Sequence, residues 1–178
     1  MNFGSIAAVI GHEFGHGFDD QGSRSDGDGK LREWWSKASR REFEKRTQGL
    51  VVQFDGYEVL PSLKINGRQN LGENIGDLGG LSVAYAAYRS FVQEKQGGNA
   101  PILDGYTGDQ RFFLAWAQLW RNITSEGETR RRTLADPHSP GEFRVNGIVR
   151  NIDAWYKAFN IKPADKLYLA PEKRIKIW

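Results

Sequence analysis

Five consecutive residues, His12-Glu13-Phe14-Gly15-His16, concentrate the chain's clearest chemistry. Two histidines four positions apart fall about 40° apart around a helix axis, so both imidazoles can reach one divalent ion. Zinc accepts such nitrogens at about 2.0–2.1 Å. Glu13, three residues before His16, lies on the same side and reaches past the ion, where it can take a proton from an activated water. Gly11, Gly15 and Gly17 each weaken a helix by about 1 kcal/mol relative to Ala. That makes sense if another group must approach the backbone closely. The sequence holds only three histidines, the third being His138. A catalytic zinc wants three protein ligands and one open position. No third histidine follows at a spacing that could complete the site from a nearby turn, so an acid on another helix is the expected third ligand.

Glu73 and Asp77, again four apart, meet that expectation. They share a helix face in an otherwise apolar, glycine-rich stretch running from Leu71 to Leu81, and two acids so placed repel unless a cation sits between them. Glu73 as ligand and Asp77 as acceptor for a ligand imidazole would satisfy both. Asp19, three past His16, could do the same for the second ring or be an ordinary loop acid. His138 stands between Pro137 and Pro140, which restrain its backbone; a rigid histidine facing a metal site can donate to a developing oxyanion. Arg144, six residues on, offers a planar fork for a substrate carbonyl or carboxylate.

Positioning these groups takes a core, and the chain has the material for one. Its 178 residues suit one domain and are short for two. Six Trp, six Tyr and ten Phe supply large burial units. No stretch approaches the roughly 18 apolar residues of a membrane span, so no transmembrane segment is expected. The lack of cysteine removes disulfides, thiolate zinc sites and cysteine nucleophiles together. A net charge of +3, with basic and acidic residues interspersed, argues against a nucleic-acid partner, and the Arg130-Arg131-Arg132 run reads as plain surface.

Apolar periodicity predicts helices near the first residue to about 18, over 31–47, 70–96, 109–120 and 141–159. The first repeats Phe3, Ile6, Ala7 and Ile10, the second would turn Trp34, Trp35, Ala38 and Phe43 inward, and Gly97-Gly98 ends the third. Residues 51–60 read as a strand or extended loop. Residues 19–30 read as a loop whose likeness to a calcium site fails where Lys30 and Lys37 replace ligands. The expectation is a mainly helical single domain.

Four blocks jointly resemble the zinc metallopeptidases of the neprilysin and endothelin-converting-enzyme family, in the gluzincin group. They are the His12–His16 motif followed by Gly17-Phe18-Asp19-Asp20, then Gly72-Glu73-Asn74-Ile75-Gly76-Asp77. Asp136-Pro137-His138-Ser139-Pro140 with Phe143-Arg144-Val145 follows, and the tail ends in Trp178. The resemblance implies a mainly α, thermolysin-like catalytic domain with few or no strands, one Zn2+ and a peptide substrate. It implies His12, His16 and Glu73 as zinc ligands, Glu13 as general base, and Asp19 and Asp77 as partners orienting the ligand rings. It further implies that His138 stabilises the transition state and Arg144 holds the substrate backbone. Where disulfide-bonded relatives carry cysteine, this chain has Ile161 and Ile175, which fits a disulfide-free, bacterial branch. Relatives are several times longer, with a helical N-terminal lobe and an Asn-Ala substrate-binding segment upstream. Residues 1–178 are therefore expected to be the C-terminal catalytic portion, weakly active or inactive alone. The implied compartment is extracytoplasmic: periplasmic, secreted or envelope-associated. Nothing in the sequence sets the oligomeric state.

Overall fold

The computed structural model describes residues 2–178. Its helices are α1 (Ile6–Gly15), α2 (Lys37–Asp55), α3 (Leu71–Gln96), α4 (Gly108–Leu119), α5 (Glu126–Ala135), α6 (Gly141–Val149) and α7 (Asp153–Phe159). One antiparallel hairpin, β1 (Glu58–Leu60) with β2 (Leu63–Lys64), pairs Glu58 with Lys64 and Leu60 with Leu63. Among the described residues the architecture is mainly helical, as the periodicity predicts.

The spine is α3. Leu71, Ile75, Leu78, Leu81, Ala84, Tyr88 and Val92 are buried along it, and Gly97 closes it in the left-handed region at φ 62°. Around it pack Leu50 and Phe54 of α2, Phe112, Phe113 and Trp116 of α4, and Ile148 of α6. Fully burying one such side chain contributes roughly 1.5–3 kcal/mol. A capping box starts α4: Thr107 Oγ1 accepts from the Gln110 N–H at 3.2 Å and Gln110 Oε1 accepts from the Thr107 N–H at 2.9 Å.

The pair α1–α3 positions the site, and glycine makes it possible. A Cβ on Gly76 would stand 2.8 Å from His12 Nδ1, and one on Gly80 would collide with the His12 backbone N and the Ala8 carbonyl. Two bare positions one turn apart thus let α1 lie against α3 backbone to backbone. The face α1 turns inward carries Ala8 and His12, while Ile6, Ile10 and Phe14 point out and stay exposed. Apolar spacing alone marks the helix but not which side faces the core.

Several boundaries differ from expectation. Helix α1 ends at Gly15, with His16 still helical as its cap residue (φ −61°, ψ −25°), rather than running to 18. Helix α2 starts at Lys37, because Ser36 accepts the Ser39 N–H at 3.1 Å and begins the helix there. Trp34 and Ala38 are consequently exposed rather than inward, whereas Phe43 is buried. Residues 51–55 are the last turn of α2, with Val51 and Phe54 on its buried face, so only 58–60 become strand. The predicted 141–159 helix is two helices. The buried Asn151 donates its side-chain amide to the Gly147 carbonyl at 2.9 Å and accepts the Ile175 N–H at 2.9 Å, and that competition with the backbone accompanies the break. In the 19–30 loop, Asp26 turns a carboxylate oxygen onto the N–H groups of Asp28 (2.9 Å) and Lys30 (3.0 Å).

Candidate metal centre

Three histidines from two places in the fold face one carboxylate. His12 and His16 sit one turn apart at the end of α1, their rings 4.7 Å apart and nearly perpendicular. Glu73 stands in the first turn of α3, and His138 lies in the loop between α5 and α6. From Glu73, Oε2 is 3.1 Å from His12 Nε2 and 3.0 Å from His138 Nε2, and Oε1 is 3.7 Å from His16 Nε2.

A carboxylate fixes each ring from behind. His12 Nδ1 meets Asp77 Oδ1 at 2.8 Å, His16 Nδ1 meets Asp19 Oδ2 at 2.8 Å, and His138 Nδ1 meets Asp136 Oδ1 at 2.7 Å. With Nδ1–H donated to Asp77 and Asp19, the Nε2 atoms of His12 and His16 are left with their lone pairs toward the centre. Asp19 is itself pinned, its Oδ1 accepting the N–H groups of Gln21 (2.8 Å) and Gly22 (2.7 Å). Asp77 is fully buried and also takes both arms of Arg144. The Arg144 guanidinium lies 3.7 Å over the Trp120 ring, with Nη2 3.8 Å from Glu73 Oε2.

The donor set fits zinc. Ligand atoms at the corners of a tetrahedral zinc lie about 3.3 Å apart, given bonds near 2.0–2.1 Å. The 3.1 Å and 3.7 Å separations between Glu73 and the two α1 imidazoles bracket that spacing. Glu73 Oε2 is buried without a hydrogen bond, an orphan acceptor that a cation would satisfy. Glu13 is exposed at the edge of the cluster, where ligand atoms of His12, Glu13 and His16 lie within 4.8 Å of one another.

Electrostatics match the geometry. Burial pushes the His12 ring down, but its hydrogen bond to Asp77 and the adjacent Glu73 carboxylate outweigh this and raise it to about 9 from 6.5. Burial pushes Glu73 up, and the adjacent His12 ring with the imidazoles of His138 and His16 more than reverses it, so its carboxyl is held below the usual range. Asp136 is held down to about 2: burial opposes ionisation, while the His138 backbone N–H, the His138 ring and the Arg132 side chain overcome it.

All eight residues singled out from the sequence thus gather here. His12, His16 and Glu73 form the centre, Asp19 and Asp77 back the α1 rings, Glu13 stands at the rim, His138 faces Glu73, and Arg144 is buried on Asp77. Two partners escape the sequence reading. Asp136 carries no assigned role there, although Asp-Pro two positions before a histidine is a turn signal. Trp120, the platform under Arg144, has no local signature at all.

Comparison with known proteins adds independent findings. The sequence profile described as Peptidase family M13 matches residues 1–175. Human endothelin-converting enzyme 1 is 38% identical over 178 residues, covering 100% of this chain and 23% of that protein. Neprilysin-11 of Caenorhabditis elegans is 40% identical, covering 100% of this chain and 21% of its own length. The crystal structure of Mycobacterium tuberculosis zinc metalloprotease Zmp1 in complex with inhibitor superposes with a TM-score of 0.94 at 50% identity, over 99% of this chain and 27% of that one. PepO from Lactobacillus rhamnosis gives 0.86 at 34% identity, over 99% of this chain and 26% of that one. The chain spans about a quarter of the length of these relatives. None of the helices among the described residues is long and apolar enough to cross a membrane.

Proposed function

Because the chain belongs to peptidase family M13, we propose that it provides the zinc site of a metalloendopeptidase that hydrolyses peptide bonds in oligopeptides. The observation that carries this reading is the approach of the two α1 imidazoles and His138 to the buried Glu73 carboxylate. His12, His16 and Glu73 would hold the ion, leaving a position open toward the rim where Glu13 stands. Zinc bound there would polarise a scissile carbonyl and acidify a water.

The protein's own groups do the rest. Glu13 takes the water's proton as attack on the carbonyl begins and delivers it to the departing amine. His138, oriented by Asp136, donates from Nε2 to the negative oxygen of the tetrahedral intermediate, a contribution of about 3–4 kcal/mol for a well-placed donor. Arg144, fixed by Asp77 and Trp120, holds the substrate backbone. Asp77 and Asp19 keep the α1 rings in register. We place peptide cleavage in the complete protein, and expect the isolated chain to hold zinc but turn over substrate weakly or not at all.

The test is Glu13→Gln in the complete protein, assayed for zinc content and cleavage of a fluorogenic peptide. The reading expects zinc retained and turnover lowered by about 10²–10⁴-fold; a variant with near-normal turnover contradicts the base assignment.

A further inference from the structure

His138 owes its place to the helix that carries Glu73. Asn70 occupies the N-cap position of α3, where an asparagine ordinarily accepts an N–H of its own helix, yet its side chain makes no such cap. Its Nδ2 donates instead to the Asp136 carbonyl at 3.0 Å. One turn on, Asn74 sits buried inside the helix, and its Oδ1 accepts the Ser139 hydroxyl at 2.8 Å. Asn70, Asn74 and Ser139 are 3%, 1% and 2% exposed. Asn74 Nδ2 is buried with no hydrogen-bond partner, a standing cost that an apolar residue would avoid. Neither asparagine is explained by the helix it belongs to. What they share is the loop, gripped on both sides of His138, while Glu73 between them meets the His138 ring.

We propose that Asn70 and Asn74 are positioning residues that clamp the 136–139 loop onto α3 and so set His138 Nε2 at its working distance from Glu73. The proposal rests on the peptidase reading above. The clamp makes one helix the common reference for a metal ligand and for the donor that meets the oxyanion. Prolines on either side of His138 restrain the loop's own shape, and the two asparagines fix where that shape is docked. A displacement of about 1 Å at a reacting group costs up to about a hundredfold in rate.

The experiment uses Asn74→Ala, Ser139→Ala and their double variant in the complete protein. Zinc content, kcat, KM and hydrogen exchange of the 136–143 amides are read for each. The clamp predicts unchanged zinc and KM, a fall in kcat of about tenfold to a hundredfold, and faster exchange of the loop with α3 protected as before. It also predicts a double variant no worse than the weaker single one, since both remove one bond. Should Asn74→Ala fail to fold, Ser139→Ala, which removes a single oxygen, still decides. Single variants within about twofold of the parent kcat, or rate losses that follow zinc loss, overturn the proposal. If the zinc-loaded parent cleaves no peptide, the peptidase reading fails instead, and unchanged loop exchange in Ser139→Ala then overturns the clamp on its own.

Discussion

Arg144 and Asp77 lie 67 positions apart in sequence and meet through two hydrogen bonds, Nε to Oδ2 and Nη2 to Oδ1, each 2.7 Å. Both are buried, Asp77 completely. The same Oδ1 that takes Arg144 Nη2 also takes His12 Nδ1 at 2.8 Å. One carboxylate therefore neutralises a buried guanidinium and orients the His12 ring. It joins α1, α3 and α6 at a single point.

Replacing Asp77 by Asn keeps the shape and removes the charge. Arg144 is then left buried beside only the more distant Glu73, and breaking such a pair costs about 3–5 kcal/mol. The weakened backing of His12 should lower zinc affinity by about 10–100-fold. Urea unfolding and a chelator competition titration measure the two effects. Native-like stability together with native-like zinc affinity would show that Asp77 does neither job.

The close approach of α1 and α3 gives a prediction with an unusual sign. On helix propensity alone, Gly76→Ala should stabilise by about 1 kcal/mol. In this structure the new Cβ would lie 2.8 Å from His12 Nδ1, so a loss of about 1–3 kcal/mol is expected instead, as for overpacking. Gly127 is the control: in α5, a Cβ there meets nothing within 4 Å, and Gly127→Ala should stabilise. Thermal unfolding of the two variants should move in opposite directions, and a stabilised Gly76→Ala would contradict the packing.

His12 gives a pH dependence. Without a bound ion, burial lowers it, but its hydrogen bond to Asp77 and the adjacent Glu73 carboxylate prevail and raise it from 6.5 to about 9. A raised value means that the protonated ring stabilises the fold fully below pH 6.5, and that this contribution is lost as pH climbs through 9. Zinc requires the neutral ring, so uptake at pH 7 should expel about one proton per ion from this site. Calorimetry in buffers of different ionisation enthalpy reads that proton. Its release should fade above pH 9; release that does not change with pH would place the proton elsewhere.

Much of this site is legible in the sequence because its key spacings are local. Histidines at 12 and 16 need only one helix turn to converge, and Glu73 with Asp77 stand out as acids in an apolar, glycine-rich helix. Asp19 is readable together with its partner, since His16 stands only three residues before it, whereas Arg144 is readable as a residue type but its partner is set by tertiary packing. The 67-residue reach of Arg144 to Asp77 leaves no periodic trace. Asp136 is hidden because its bonds, to the N–H and ring of the histidine two residues on, arise from a turn whose closure the sequence only hints at. The fold is legible where periodicity is long, as in α3, and less so where single side chains set boundaries. Ser36 starts α2 later than its aromatic neighbours suggest, and Asn151 marks the division of the last predicted helix. The inward face of α1 runs against its large apolar residues: the close approach at Gly76 and Gly80 turns Ala8 and His12 inward and leaves Ile6, Ile10 and Phe14 exposed.

Anomalous diffraction at the zinc edge, from crystals of the zinc-loaded protein, tests the central claim most directly. The account predicts one peak at bonding distance, about 2.0–2.2 Å, from His12 Nε2, His16 Nε2 and a Glu73 carboxylate oxygen, with His138 beyond bonding reach. A peak held by all three imidazoles with Glu73 turned away, or a peak outside this cluster, would contradict it.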